Sequence, residues 1–190
     1  MLKLNLRRLI RQRKQQFSTD ERDRQSHEIM RLLEDHPVFQ KAHVVLLYAS
    51  LPDEVQTLSF IQRWSSEKQI LLPVVVGDTL ELYPYTDQAH LKQSDYGIFE
   101  PLSTSIYNDY SAIDLAIIPG VAFTPEGCRL GRGKGYYDRF LVHPSFQNVH
   151  KMGICFPFQL LSELPTVPHD IRMDEVLTLN SDNSTLLLEQ

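Results

Sequence analysis

A chain of 190 residues, 42% hydrophobic and 23% charged, has an ordinary globular composition and is long enough to bury a substantial core, read as one domain over 1–190. The formal net charge of −5 excludes a protein that coats nucleic acid through a general basic surface, and no span is apolar enough to cross a bilayer. The two cysteines, Cys128 and Cys155, are too few for a disulfide scaffold and lack metal-binding spacing, so free thiols, a reducing compartment and a cytoplasmic location are expected.

The first predicted element is an amphipathic helix in "MLKLNLRRLIRQRK". Leu2, Leu6, Leu9 and Ile10 recur at helical spacing on one face, and Lys3, Arg7, Arg11 and Lys14 run as a basic stripe down another. Such a stripe is ordinarily a solvated face, and an Arg-rich, acid-free start also has the form of a mitochondrial transit peptide. Ser18 with Glu21 has the spacing of a capping box and opens a second helix, with Ile29, Leu32 and Leu33 inward, that stops before Pro37. "HVVLLYAS" reads as a buried strand; "VQTLSFIQRWSSEKQ" puts Leu58, Ile61 and Trp64 at helical spacing; "ILLPVVV" and "LELYPY" read as strands. After the polar "DQAHLKQSD", "DLAIIPGVAF" reads as one buried strand, "GYYDRFLV" as a short helix from about Gly135, and "HKMGICF" and "EVLTL" as further strands. This alternation predicts an α/β fold: a mostly parallel, Rossmann-like sheet with helices on both faces.

In such a sheet, ligands sit beyond the carboxyl ends of the strands, which is where "GCRLGRGKGYYDRF" falls. Gly131, Gly133 and Gly135 can present bare backbone N–H groups to an anion and adopt positive φ, and the helix that follows adds the positive end of its dipole. Arg129, Arg132, Lys134 and Arg139 less Asp138 give +3 in an acidic protein. One charge 4 Å from a phosphate is worth roughly 4 kcal/mol at an effective dielectric near 20, so the cluster calls for an anionic partner. The Walker pattern fails, because Lys134 is followed by Gly135 and Cys128 stands at the first glycine position; the GxGxxG spacing fails too. The residues alone leave two readings open, a phosphate cradle and a basic structural turn.

Asp138 follows the loop by one helical turn and suits Mg²⁺, which takes one or two carboxylates plus phosphate and water. In "PHDIRMDEV", Asp170 and Asp174 are spaced to share a helical face, or to act as a cap or exposed pair. Glu54, just past a strand end in "YASLPDEVQT", and Glu100 in "YGIFEP" are placed either to bond a substrate amide or to be solvated in loops. The seven histidines show neither HxH nor HExxH spacing, and GxSxG is absent.

Taken in order, "KLNLR" with Arg13 following, "YASLPDEVQT", "LLPVV", "YGIFEP", "DLAIIPGVAFTPEGCRLGRGKGYYDRFL" and "HDIRMDEVLT" resemble the 5-formyltetrahydrofolate cyclo-ligase (methenyltetrahydrofolate synthetase) family nearly end to end. Thr124 stands where many members have aspartate, Gln56 where an acid is frequent, and Lys134 where many continue the glycine pattern. The resemblance implies MgATP-dependent closure of 5-formyltetrahydrofolate to 5,10-methenyltetrahydrofolate, through a phosphorylated formyl group (an iminium phosphate), with release of ADP and phosphate.

It further implies ATP contacts at Lys3, Arg7, Arg129, Leu130, Gly131, Arg132, Gly133, Lys134 and Gly135. Folate contacts are implied at Ala49, Glu54, Arg132, Gly133, Lys134, Gly135 and Tyr136, and Mg²⁺ ligands at Asp138 and Asp170. Arg132, Lys134 and Glu54 are the expected catalytic groups, in a monomer that acts on a small molecule and engages neither nucleic acid nor membrane. Because the resemblance puts ATP contacts from Lys3 onward, the first helix is expected to be kept. A folate- or nucleotide-binding regulator and a small-molecule kinase are the alternatives.

Overall fold

The computed structural model describes residues 2–87, 91–93, 99–102 and 105–179; residues 96–98 of "YGIFEP" and part of the polar "DQAHLKQSD" stretch lie outside them. Helix α1 (Lys3–Gln16) forms as its periodicity predicts, but only Leu6 and Ile10 are buried. They pack with Ala122 and Leu130. Leu2 stays exposed and Leu9 is partly covered, because α1 lies on a narrow two-stranded ribbon that can cover only one seam.

Helix α2 (Thr19–Glu34) starts where Ser18 Oγ accepts the Glu21 N–H at 3.2 Å. The Glu21 carboxylate turns instead to Arg24 and Gln25, so only half of the expected capping box forms. Its buried apolar positions are Ile29, Met30 and Leu33, with Ser26 one turn earlier. Met30 takes the inward place expected of Leu32, which is exposed. Pro37 opens a further short helix, α3 (Pro37–Lys41): at its first position the missing N–H is not needed.

Strand β1 (Val44–Leu46), helix α4 (Leu58–Trp64), strand β2 (Gln69–Val76) and strand β3 (Thr79–Pro84) follow. The ribbon of β4 (Leu91–Gln93) and β5 (Phe99–Pro101) precedes β6 (Leu115–Ile118), β7 (Ala122–Phe123) and β8 (Arg129–Leu130). Helix α5 (Tyr136–Leu141), β9 (His150–Ile154) and β10 (Glu175–Leu177) complete the order. The main sheet runs β10-β9-β6-β1-β2-β3, and every pair is parallel except the β2–β3 hairpin.

Alternate strand residues supply two cores. Val45, Ile70, Leu72, Leu115, Ile117 and Met152 face α2, α3 and α4, through Ile29, Leu33, Phe39, Phe60 and Ile61. Leu46, Leu71, Ala116 and Ile118 face α5 through Phe140 and Leu141. This is the expected α/β sheet with helices on both faces.

The "DLAIIPGVAF" run is not one strand. It leaves the sheet at Pro119–Gly120 and resumes as β7, paired with β8. Proline offers no ladder N–H, and the buried Phe123 ring lies so close to Gly120 and Gly153 that a Cβ at either would overlap it. The turn matters because β1 and β6 are neighbours whose chain continues to opposite sides, to β2 and to β9. The loops after β1 and β6 therefore part at a topological switch point, where open α/β sheets hold their ligands.

Candidate active site

The loop after β1 is tied shut at its base. The Ser50 N–H donates to Thr57 Oγ1 and the Thr57 N–H to Ser50 Oγ, both at 3.1 Å, while Thr57 Oγ1 donates to the Tyr48 carbonyl at 2.6 Å. From this clasp Glu54 is carried inward, with its side chain 10% exposed. Glu54 Oε2 accepts the Leu51 N–H at 3.0 Å. Tyr48 and Tyr137 lie nearby; burial pushes both phenols well above their ordinary value and the Glu54 charge adds to it, so both stay neutral. Ala49, beside them, is buried.

Arg132 crosses from the glycine loop and meets this acid: Nη2 lies 2.7 Å and Nε 3.2 Å from Glu54 Oε1. Nη2 also reaches Asp53 Oδ1 at 2.8 Å, and Asp53 Oδ2 accepts Lys14 Nζ of α1 at 3.0 Å. Burial pushes the Asp53 carboxyl up, but Lys14 and Arg132 outweigh it and hold the group below its ordinary range. A chain Lys14–Asp53–Arg132–Glu54 thus joins three segments distant in sequence.

The glycines let the loop fold under α1. Arg7 Nε donates to the Gly131 carbonyl at 2.8 Å. Gly133, at φ 104°, sits with its Cα facing the Arg7 guanidinium, a conformation and a space that suit glycine. Gly135, at φ 70°, caps α5 and sends the chain into Tyr136, whose ring lies 5.3 Å from the Arg139 guanidinium. Leu130 is buried against α1 and can offer a ligand only its backbone. The exposed Lys134 side chain makes no hydrogen bond or ion pair among the described residues.

Arg129 is different: its side chain is 3% exposed, Nη1 donates to the Pro119 carbonyl at 3.2 Å, and Nη2 holds Asp138 Oδ1 at 2.7 Å. Its Nε is buried and has no partner among the described residues, so there one donor of the loop's innermost cation is unsatisfied.

The segment around Asp170 and Asp174 is not helical, which corrects the shared-face reading. Asp170 Oδ2 accepts Lys3 Nζ at 2.6 Å and the Val167 N–H at 2.8 Å. Asp174 Oδ2 instead accepts the Lys151 N–H at 2.7 Å and pairs with Lys151 Nζ at 3.1 Å, closing the start of β9. Glycine chemistry explains the bend between them: the carbonyl of Gly127, at φ 84°, accepts the Met173 N–H at 2.8 Å, and the two backbones lie so close that a Cβ on Gly127 would overlap the Met173 carbonyl.

The basic stripe of α1 is therefore not merely a solvated face. Lys3 reaches Asp170, Arg7 the loop carbonyl, and Lys14 Asp53. A cavity of about 440 Å³ opens beside Arg129, Asp170 and Arg172, and a second of about 70 Å³ lies between α1 and Arg132, lined also by Arg7, Arg11 and Asp53. The donor set fits a magnesium nucleotide. The buried Arg129 Nε and the unpaired Lys134 suit phosphate oxygens, and Asp138 and Asp170 are hard oxygen donors, each held here by a cation, Arg129 and Lys3.

Asp53 and the role of Lys14 escaped the sequence reading. The spacing pointed to Lys14 as one of a stripe, but nothing local marks Asp53, whose partners lie 39 and 79 positions away.

Fold and site together define a doubly wound α/β protein in which a glycine-rich cationic loop meets a buried carboxylate across the switch point. Residues 2–179 match the sequence profile of the 5-formyltetrahydrofolate cyclo-ligase family, and the chain belongs to that family and is an enzyme. It is 30% identical over 189 residues to a probable 5-formyltetrahydrofolate cyclo-ligase of Caenorhabditis elegans, covering 93% of this chain and 92% of the relative. It is 33% identical over 172 residues to its Schizosaccharomyces pombe counterpart, covering 82% and 84%. The NMR structure of Aquifex aeolicus 5,10-methenyltetrahydrofolate synthetase superposes with a TM-score of 0.80 at 35% identity, covering 94% of this chain and 90% of that one.

Proposed function

We propose that this chain closes 5-formyltetrahydrofolate to 5,10-methenyltetrahydrofolate, with ATP converted to ADP and phosphate and Mg²⁺ required. The observation that carries this reading is the contact of Arg132 with Glu54: the group suited to phosphate and the acid suited to a pterin amide lie 2.7 Å apart. Family membership supports the substrate class.

A formamide oxygen is a poor leaving group, and ATP supplies the phosphoryl group that turns it into a good one. The formyl oxygen bonds to the γ-phosphorus as the bond to ADP breaks. N10 then attacks the activated formyl carbon and loses its proton, and phosphate departs with the C–O bond electrons, leaving the methenyl bridge. The chain's part is alignment and charge stabilisation.

Lys134 and Arg132 balance charge on the transferring group, and the Gly131–Gly135 backbone positions it. Lys3, Arg7 and Arg129 complete the ATP contacts, and Asp138 and Asp170 hold the metal. Glu54 orients the N5-formyl and N10 region, with Ala49 and Tyr136 as walls. The enzyme works as a cytoplasmic monomer. Mixing the protein with MgATP and 5-formyltetrahydrofolate should produce the near-ultraviolet absorbance of the methenyl product. A regulator gives no signal, and a kinase consumes ATP without that chromophore; either result would overturn the proposal.

A further inference from the structure

Two neighbouring acids hold the Arg132 guanidinium by one edge. Nη2 lies 2.8 Å from Asp53 Oδ1 and 2.7 Å from Glu54 Oε1, and Nε turns to the same Glu54 oxygen, while Nη1 makes no hydrogen bond or ion pair among the described residues. The two acids are not equivalent. Glu54 is nearly buried, whereas Asp53 is 40% exposed and is bound from its other side by Lys14, whose side chain is only 8% exposed. Lys14 stands in the last turn of α1, and its Nζ takes Asp53 Oδ2 at 3.0 Å, which leaves Oδ1 for Arg132. The setting is strongly cationic: Arg7, Arg11, Lys14 and Arg132 line the cavity of about 70 Å³ between α1 and the loop, and Asp53 is the acid in that lining. Like charges gathered around so small a space repel one another, and the Asp53 carboxylate offsets that repulsion where Arg132 enters.

We infer, resting on the proposed function, that Asp53 is a positioning residue for Arg132 with Lys14 as its anchor: the carboxylate ties the guanidinium to α1 and keeps Nη1 free for the transferring phosphoryl group once Glu54 engages the folate. Glu54 does not serve both ends. Its Oε1 already accepts two N–H groups of Arg132 and its Oε2 the Leu51 N–H, out of about four acceptor sites on a carboxylate. A pterin brings both an amide N–H and an amino group, one donor more than remains, so substrate binding takes a contact from Arg132. Asp53 then holds the guanidinium by Nη2. The Arg132–Asp53 pair, 48% and 40% exposed, contributes little to the stability of the fold, and what it sets is the direction of the guanidinium.

The test follows methenyl formation in single turnovers, with enzyme in excess over 5-formyltetrahydrofolate and saturating MgATP, for Asp53→Asn, Arg132→Ala and the double variant; thermal melts identify folded protein. Asp53→Asn keeps the shape and loses the charge. It should slow turnover by about fivefold or more in the parent background but by less than about twofold in the Arg132→Ala background, since a positioning residue has no effect once the group it positions is gone. Slowing of similar size in both backgrounds overturns the role, as does a parental rate in folded Asp53→Asn. An Asp53→Asn protein that fails to melt cooperatively makes Asp53 a folding residue and overturns it equally. Lys14→Met should slow the parent by about threefold or more, and Lys14→Arg, which keeps the charge, by less than about twofold; equal rates in these two overturn the anchoring by Lys14. A parent protein that forms no methenyl product refutes the proposed function itself, so the two failures are told apart.

Discussion

Replacing Arg132 by alanine separates its two roles, because the structure sets them at different magnitudes. Glu54 is nearly buried, with its side chain 10% exposed, whereas Arg132 is 48% exposed. Breaking a fully buried pair costs about 3–5 kcal/mol, and exposed pairs are worth about 0–1 kcal/mol. This mixed pair should lie between them, at about 1–2 kcal/mol. In a chain of this size each kcal/mol lowers Tm by roughly 2–4 °C, so Arg132→Ala should melt only about 2–8 °C early.

The catalytic loss should be far larger. A unit charge near a phosphoryl oxygen is worth roughly 4 kcal/mol at an effective dielectric near 20, which corresponds to about three decades in kcat. Scanning calorimetry and the methenyl absorbance assay read the two effects on one preparation. Adding Glu54→Gln to Arg132→Ala should recover part of the Tm, since no charge is then stranded, without recovering turnover. A kcat within threefold of the parent in folded Arg132→Ala would refute the assignment of Arg132 to the phosphoryl group.

Four further outcomes follow from particular contacts. Asp170→Ala should raise the Mg²⁺ concentration needed for half-maximal turnover, while Asp174→Ala, which removes only the Lys151 closure of β9, should lower Tm and leave that concentration unchanged; titrating Mg²⁺ in both decides between them. The Asp53 carboxyl is held below its ordinary value of 3.8, so its contribution to stability is present above that pH and is lost as pH falls through the lowered value. The urea midpoints of the parent and Asp53→Asn should therefore differ by a constant amount from pH 7 to pH 5 and converge below about pH 3.8; a gap that persists to the acid limit contradicts this. Gly127→Ala should destabilise by about 3 kcal/mol or more, measured by denaturant melts, because it combines positive φ with overlap of the Met173 carbonyl. Burial pushes the Cys155 thiol up to about 12, so a disulfide reagent at pH 8 should titrate only Cys128 in native protein and both thiols after denaturation.

The local code set the periodic elements. Leu6 and Ile10 on α1, Ser18 before α2, and the apolar runs that became β1, β2, β6 and β9 each respond to neighbours within a few residues. The glycine loop was legible for the same reason, since alternate glycines and clustered cations are chemistry written in adjacent positions. Pro37 was legible as the point before which α2 stops, although the short α3 that it opens was not, and Pro119 was misread because a proline's effect depends on what lies beyond it: here the chain leaves the sheet after β6.

Pairings across the fold were not available to such reading. Whether Lys3, Arg7 and Lys14 faced water or the site depended on α1 docking over β7 and β8, and only strand order brought Glu54 to Arg132, 78 positions away. The composition and spacing of this chain determined which helices and strands could form and which loop could receive an anion. The packing of those elements decided which acid met which cation, because Coulomb and hydrogen-bond energies depend on distance in space and carry no local signature in sequence.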